Sequence, residues 1–267
     1  MIHAGDFCHG ASNHQEFVRT YNDFHIKSYH CIGNHDADGT SIEEVIKYYN
    51  MPNDYYYFDC KGYRIIVLNS NYYYDNGKYY NYSLGNNLKH SGDCWDYIPP
   101  EQLSWFEKTV QESKYPCIII SHHSIERDDA SIKNRKEVLE IINSANKRKS
   151  GSVILCINGH YHRDYIRILD NVVFFDMNSV QYDYVRNAHN CYPEELHKKY
   201  SMLDHSICYN DPLFAIVTVE GNTITIDGKE SSFYMGVTHE MTGNDLLDWS
   251  RRPSTARIQS AKIKIGD

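Results

Sequence analysis

The chain has 267 residues, 41% of them hydrophobic, and a formal charge of −8, enough apolar material for one sizeable core. An acidic balance with no basic stripe argues against a nucleic-acid partner held by its phosphates. The longest apolar runs, such as 65–68 and 118–120, are strand-length, far short of the roughly 20 residues of a membrane-spanning helix, and eight cysteines without a C-x-x-C pair suit a reducing, cytoplasmic setting.

The chain opens on a short apolar stub, Met1-Ile2-His3, that runs into Gly5-Asp6. Ser12 and Gln15 have the spacing of a capping box and predict a helix over 13–22. Residues 27–32 read as a strand ending in Gly33-Asn34-His35-Asp36. A second capping box, Ser41 with Glu44, starts a helix that must stop near Asn50 because Pro52 restricts the residue before it. Residues 55–58 and 63–70 predict an antiparallel strand pair across Lys61-Gly62, and the tyrosine- and asparagine-rich stretch after it reads as a long loop.

Pro99-Pro100-Glu101 opens a helix, 117–121 is a strand ending in His122-His123, and 133–148 is an amphipathic helix. The strand 153–157 runs into Asn158-Gly159-His160-Tyr161-His162. Residues 172–176, 214–219 and 223–226 read as strands of a second sheet, and the last forty residues show little periodicity. The expected organisation is one domain over 1–230, with an irregular extension, 231–267, packed on it.

Four times an apolar strand ends on side chains able to ligate a metal: Asp6, then Asn34 with His35, then His122, then His160 with His162. Any one such histidine is more often a hydrogen-bonded structural residue, but the joint pattern outweighs that reading. Carboxylate, carboxamide and imidazole donors without cysteine suit Mn, Fe, Zn or Ni in an open site. Two cations sharing a carboxylate acidify a water and hold phosphoryl oxygens for in-line attack.

Gly-Asp, Gly-Asn-His-Asp, His and Gly-His-x-His in this order resemble the calcineurin-like metallophosphoesterases over residues 1–180. The resemblance implies an α/β fold, a four-layer sandwich of two mixed β-sheets flanked by helices. It implies two divalent metal ions bridged by Asp6, with Asn34, His122 and His160 on one and His162 on the other. It makes His35 the catalytic histidine and Asp36 the carboxylate that orients it. The function implied is hydrolysis of a phosphomonoester or phosphodiester by metal-activated hydroxide, on a small phosphorylated substrate. A non-catalytic remnant retaining the fold and one metal, and a nuclease, stay open as alternatives.

The family's first motif, Asp-x-His, has no counterpart ahead of Gly5-Asp6. Asp23-Phe24-His25 has that form but sits before a strand instead of after one. The expectation is therefore a chain lacking its first strand, with one metal held better than the other. His123 is expected to point away from His122, as second residue on extended backbone, and is a weaker candidate for substrate contact, as is Arg163. Asp204, His205 and His239 fall outside the strand-end pattern and read as solvated.

Overall fold

The computed structural model describes residues 1–90, 93–185, 188–238, 240–242 and 254–266. They fall into two units, Met1–His160 with Arg167–Phe175, and Tyr161–Ile166 with Asp176–Asp267.

In the first unit β1 (Ile2–His3) pairs in parallel with β2 (Tyr29–His30). Between them run a 3₁₀ turn, Ala11–His14, and α1 (Gln15–Asn22). The expected capping box at Ser12 does not form: its hydroxyl pairs with Thr40 Oγ1 at 2.8 Å, and α1 starts three residues later without a side-chain cap. The box at Ser41 and Glu44 does form, at the head of α2 (Ile42–Tyr48).

β3 (Tyr56–Cys60) and β4 (Tyr63–Val67) are antiparallel, joined through Lys61 and Gly62, both at positive φ. That geometry matches the right-handed twist of a tight hairpin. The expected long loop contains a second hairpin of the same kind, β5 (Tyr72–Asp75) and β6 (Lys78–Asn81), turned on Asn76-Gly77 at φ 48° and 83°. Asn-Gly at those two positions is the strongest short-range hairpin signal, hidden here by compositional bias.

α3 (Pro100–Gln111), β7 (Cys117–Ser121), α4 (Arg135–Arg148), β8 (Val153–Asn158), β9 (Tyr165–Leu169) and β10 (Val172–Asp176) follow. A mixed six-stranded sheet has the order β3-β4-β7-β8-β10-β9, with β4, β7 and β8 mutually parallel. Residues 172–176, expected in a second sheet, thus belong to the main one. The strand is buried at every position, as a central strand covered on both faces must be. Ile66, Ile119, Cys156 and Phe174 from the sheet pack with Phe106 and Val110 of α3 and Val138 and Ile142 of α4, each large side chain contributing about 1.5–3 kcal/mol on burial. The fold is α/β, a mixed sheet flanked by helices, as expected.

In the second unit β11 (Tyr182–Tyr184) pairs antiparallel with β12 (Ser206–Cys208), and α5 (Glu194–Lys199) lies between them in sequence. β13 (Ala215–Glu220), β14 (Thr223–Gly228) and β15 (Ala261–Lys264) form an antiparallel sheet. The last of these lies in the segment expected to be irregular, where Ile263 supplies the buried position that pairs with Ile224. Among the described residues no helix is long and apolar enough to cross a membrane.

Candidate metal centre

β1, β2, β7 and β8 each deliver a side chain able to ligate a metal just past their C-terminal ends, where open α/β sheets build their sites. Asp6 follows β1, Asn34 follows β2, His122 follows β7 and His160 follows β8. The turns are tight enough to need glycine. A Cβ on Gly33 would stand 2.2 Å from both the backbone nitrogen and Oδ1 of Asp6, and one on Gly5 2.3 Å from His122 Nδ1. Asp6 and His160 themselves take left-handed backbone, φ 51° and 59°, a conformation that non-glycine residues adopt at functional turns when the surroundings enforce it.

Four potential donor atoms are linked there by close contacts. His122 Nε2 lies 3.0 Å from Asn34 Oδ1 and 3.2 Å from Asp6 Oδ2, and His160 Nδ1 lies 3.0 Å from Asn34 Oδ1 and 3.2 Å from His122 Nε2. Ligands about 2.1 Å from one cation at 90–110° to each other stand about 3.0–3.4 Å apart. His122 Nδ1 donates to the Ala4 carbonyl at 2.7 Å, so Nε2 turns its lone pair toward the two oxygens. A proton satisfies only one pair in such a group, whereas a divalent cation can be shared among several of these atoms, and ring nitrogens of His122, His123 and His160 also lie within 4.8 Å of one another. The residues fit a metal.

Charge is tightly managed. Burial opposes ionisation of Asp6, yet His122, with His35 assisting, holds its carboxyl well below the usual carboxylate range. His122 is raised by Asp6 against its own burial, and His160 is driven well down by burial and by His123 and His122.

A family model for the calcineurin-like phosphoesterases matches residues 1–164. The chain belongs to that family. Among solved structures, the calcineurin-like phosphoesterase chain is similar to a dimetal phosphatase from Danio rerio, with 11% identity over 99% of this chain and 83% of that one, at a TM-score of 0.56. That likeness is one of fold. A phosphopantetheinyl hydrolase from Mycobacterium tuberculosis is similar at 14% identity over 74% of this chain and 81% of that one, with a TM-score of 0.42. No curated protein sequence matches.

Asp36 differs from expectation. Its carboxylate, fully buried, accepts the backbone N–H groups of Asp6 (3.0 Å), Gly33 (2.7 Å) and Cys8 (3.1 Å) and the Tyr49 hydroxyl (2.5 Å). It ties the Asp6 turn to the Asn34 turn and does not touch the His35 ring. Burial and the charge of Asp6 push it up to about 6 against those hydrogen bonds. The ring of this phosphoesterase's His35 is held instead by Asp38, Nδ1 to Oδ2 at 2.7 Å, with His9 Nδ1 3.6 Å from the same oxygen. The His35 backbone N–H donates to Asp6 Oδ1 at 2.8 Å. Asp38 and His9 were missed because the motif makes the adjacent carboxylate the obvious partner.

His123, expected to point away, has its ring centroid 4.2 Å from His160 and 5.0 Å from His122. Ser70 Oγ lies 2.8 Å from its Nδ1 and Asp96 Oδ1 3.1 Å from its Nε2, and Tyr82 donates to the same Asp96 oxygen at 2.9 Å. His123 and Tyr82, against the pull of burial, hold Asp96 well below the usual carboxylate range. Asp96 carried no pattern signal in the sequence.

His162 and Arg163 lie in the second unit. The His162 ring stacks 5.4 Å from Tyr184. Arg163 is buried, and its guanidinium pairs with Asp183, which also accepts the Ser254 hydroxyl. It is therefore neither a surface arginine nor an open phosphate clamp. Asp23 and His25 are exposed, and His239 lies outside the described residues.

Proposed function

We propose that this calcineurin-like phosphoesterase hydrolyses a small phosphomonoester or phosphodiester, with Asp6, Asn34, His122 and His160 holding a divalent ion such as Mn, Fe, Zn or Ni. The observation that carries this reading is the set of contacts at 3.0–3.2 Å that link those four donor atoms. When bound, such an ion polarises the phosphoryl oxygens and acidifies water.

The protein's own groups do the positioning. One carboxylate, one neutral amide and two imidazoles leave a divalent ion under-neutralised, so the site attracts an anionic ester. The Ala4 carbonyl fixes the tautomer of His122. Asp38 fixes the ring of His35, whose Nε2 is then the nitrogen that hands a proton to the leaving oxygen. His35 is a third exposed and reachable by substrate.

The test is hydrolysis of nitrophenyl phosphate and bis(nitrophenyl) phosphate by the full chain, with manganese and with chelator. Turnover that needs the metal and disappears in His122→Ala supports the reading. Metal binding with no turnover of either ester would favour the non-catalytic remnant, and cleavage confined to oligonucleotides the nuclease.

A further inference from the structure

The second unit carries a cluster of ligating side chains outside the family-matched residues. His189 stands in a 3₁₀ turn (His189–Cys191), His197 on α5, and Asp204 ends another 3₁₀ turn (Ser201–Asp204). Asp204 Oδ1 lies 2.7 Å from His197 Nδ1 and 3.4 Å from His189 Nδ1. One ligand atom from each residue falls within 4.8 Å of the other two. Asp204, expected to be solvated, is 42% exposed and is the hub of this group.

An ion pair alone does not account for the arrangement. The His197 side chain is only 7% exposed, yet its Nε2 has no hydrogen-bond partner among the described residues. Nδ1 faces the Asp204 oxygen at 2.7 Å. A buried ring nitrogen left without a partner costs desolvation that no bond offsets. Spacings of 2.7 and 3.4 Å instead subtend about 80° and 110° at a cation about 2.1 Å from each atom, ordinary angles for first-row metals.

The backbone prepares the group. Ala188 N donates to the Asp204 carbonyl at 3.0 Å, which brings the two 3₁₀ turns side by side. Beneath them Ala188, Cys191, Tyr192 and Ile207 form part of a small apolar cluster, and small cores are where a metal adds most to stability.

We infer that His189, His197 and Asp204 form a structural metal site for Zn or a similar borderline cation, independent of the Asp6 centre. Two imidazoles and one carboxylate fill three positions, and the exposed side, where His189 is 70% and Asp204 42% accessible, leaves the remainder to water. The site clasps the 189–204 segment.

Equilibrium dialysis of the full chain against Co²⁺, followed by metal counting and visible spectroscopy, tests it. His189→Ala removes an exposed side chain and should not disturb folding; together with Asp204→Asn it should lose one metal equivalent per chain relative to the parent. The His122→Ala protein should keep that equivalent, along with a Co²⁺-induced rise in melting temperature that His189→Ala abolishes. Unchanged metal content in both His189→Ala and Asp204→Asn, or Co²⁺ affinity at this cluster no better than millimolar, would overturn the inference and leave a metal-free ion-pair cluster.

Discussion

The imidazole of His35 leans on Asp38, three residues further along, at 2.7 Å, while the adjacent Asp36 faces the other way into four hydrogen bonds. One carboxylate orients a ring and the other knits two turns together. The two should therefore fail differently when neutralised.

Asp38→Asn should leave the fold intact and, like His35→Ala, slow esters of poor leaving groups by about 10²-fold or more while affecting nitrophenyl esters much less. Asp36→Asn should destabilise the protein by about 3 kcal/mol, because a buried amide cannot accept all four donors. Denaturant titration beside a leaving-group series separates them. Equal losses on good and poor leaving groups for His35→Ala would assign His35 to positioning substrate.

Gly33→Ala changes no ligand, yet it should cripple the centre. The new methyl would meet Asp6 Oδ1 and the Asp6 backbone nitrogen at 2.2 Å, forcing a shift that costs about 1–3 kcal/mol and displaces the carboxylate. Metal content by elemental analysis should fall together with the unfolding midpoint. Full metal occupancy in this variant would show that Asp6 is not needed to hold the ion.

Asp96→Asn leaves His123 buried between Ser70 and a group that no longer carries charge. Losing a hydrogen bond to a charged carboxylate costs about 1.5–3 kcal/mol. Tyr82→Phe, which removes one donor to Asp96, should cost about 1 kcal/mol. Chemical denaturation with chelator present measures both, and a smaller loss for Asp96→Asn than for Tyr82→Phe would contradict the pairing.

Stability should fall on mild acidification through His30. A single relay of neutral rings runs from the Gly5 N–H to His3 Nδ1 (3.1 Å), His3 Nε2 to His30 Nδ1 (2.6 Å) and His30 Nε2 to Asn22 Oδ1 (2.6 Å). Burial lowers His30 to about 4, below the ordinary value near 6.5, so the unfolded chain takes up the proton first. The neutral ring is therefore no handicap above pH 6.5, and stability is lost as pH drops from there toward 4. The contribution of His30 to the change between pH 7.5 and 5 is a loss of about 2 kcal/mol, read by urea titration at both values with chelator as the difference between the parent and His30→Asn, because Asp36, raised to about 6, takes up a proton in the same window and acts with the opposite sign. His30→Asn should flatten that slope, and an unaltered slope would rule the relay out as its source.

The clustering of Asp6, Asn34, His122 and His160 was legible in the sequence because each directly follows an apolar run and closes a strand, a local pattern that chain order preserves. So were the Ser41 capping box and the β3–β4 hairpin, whose geometry is set within a few residues. Sheet membership was not: 172–176 reads the same in either sheet, since a continuous apolar run records burial on both faces but not which neighbours supply it. The partner of His35 was decided only in three dimensions, where four donors from separate segments claim Asp36 and leave Asp38 facing the ring. The same holds for Asp96 beside His123 and for Asp204 between two histidines. Each is a single carboxylate whose meaning comes from what long-range packing sets against it, and no periodicity in the chain encodes that.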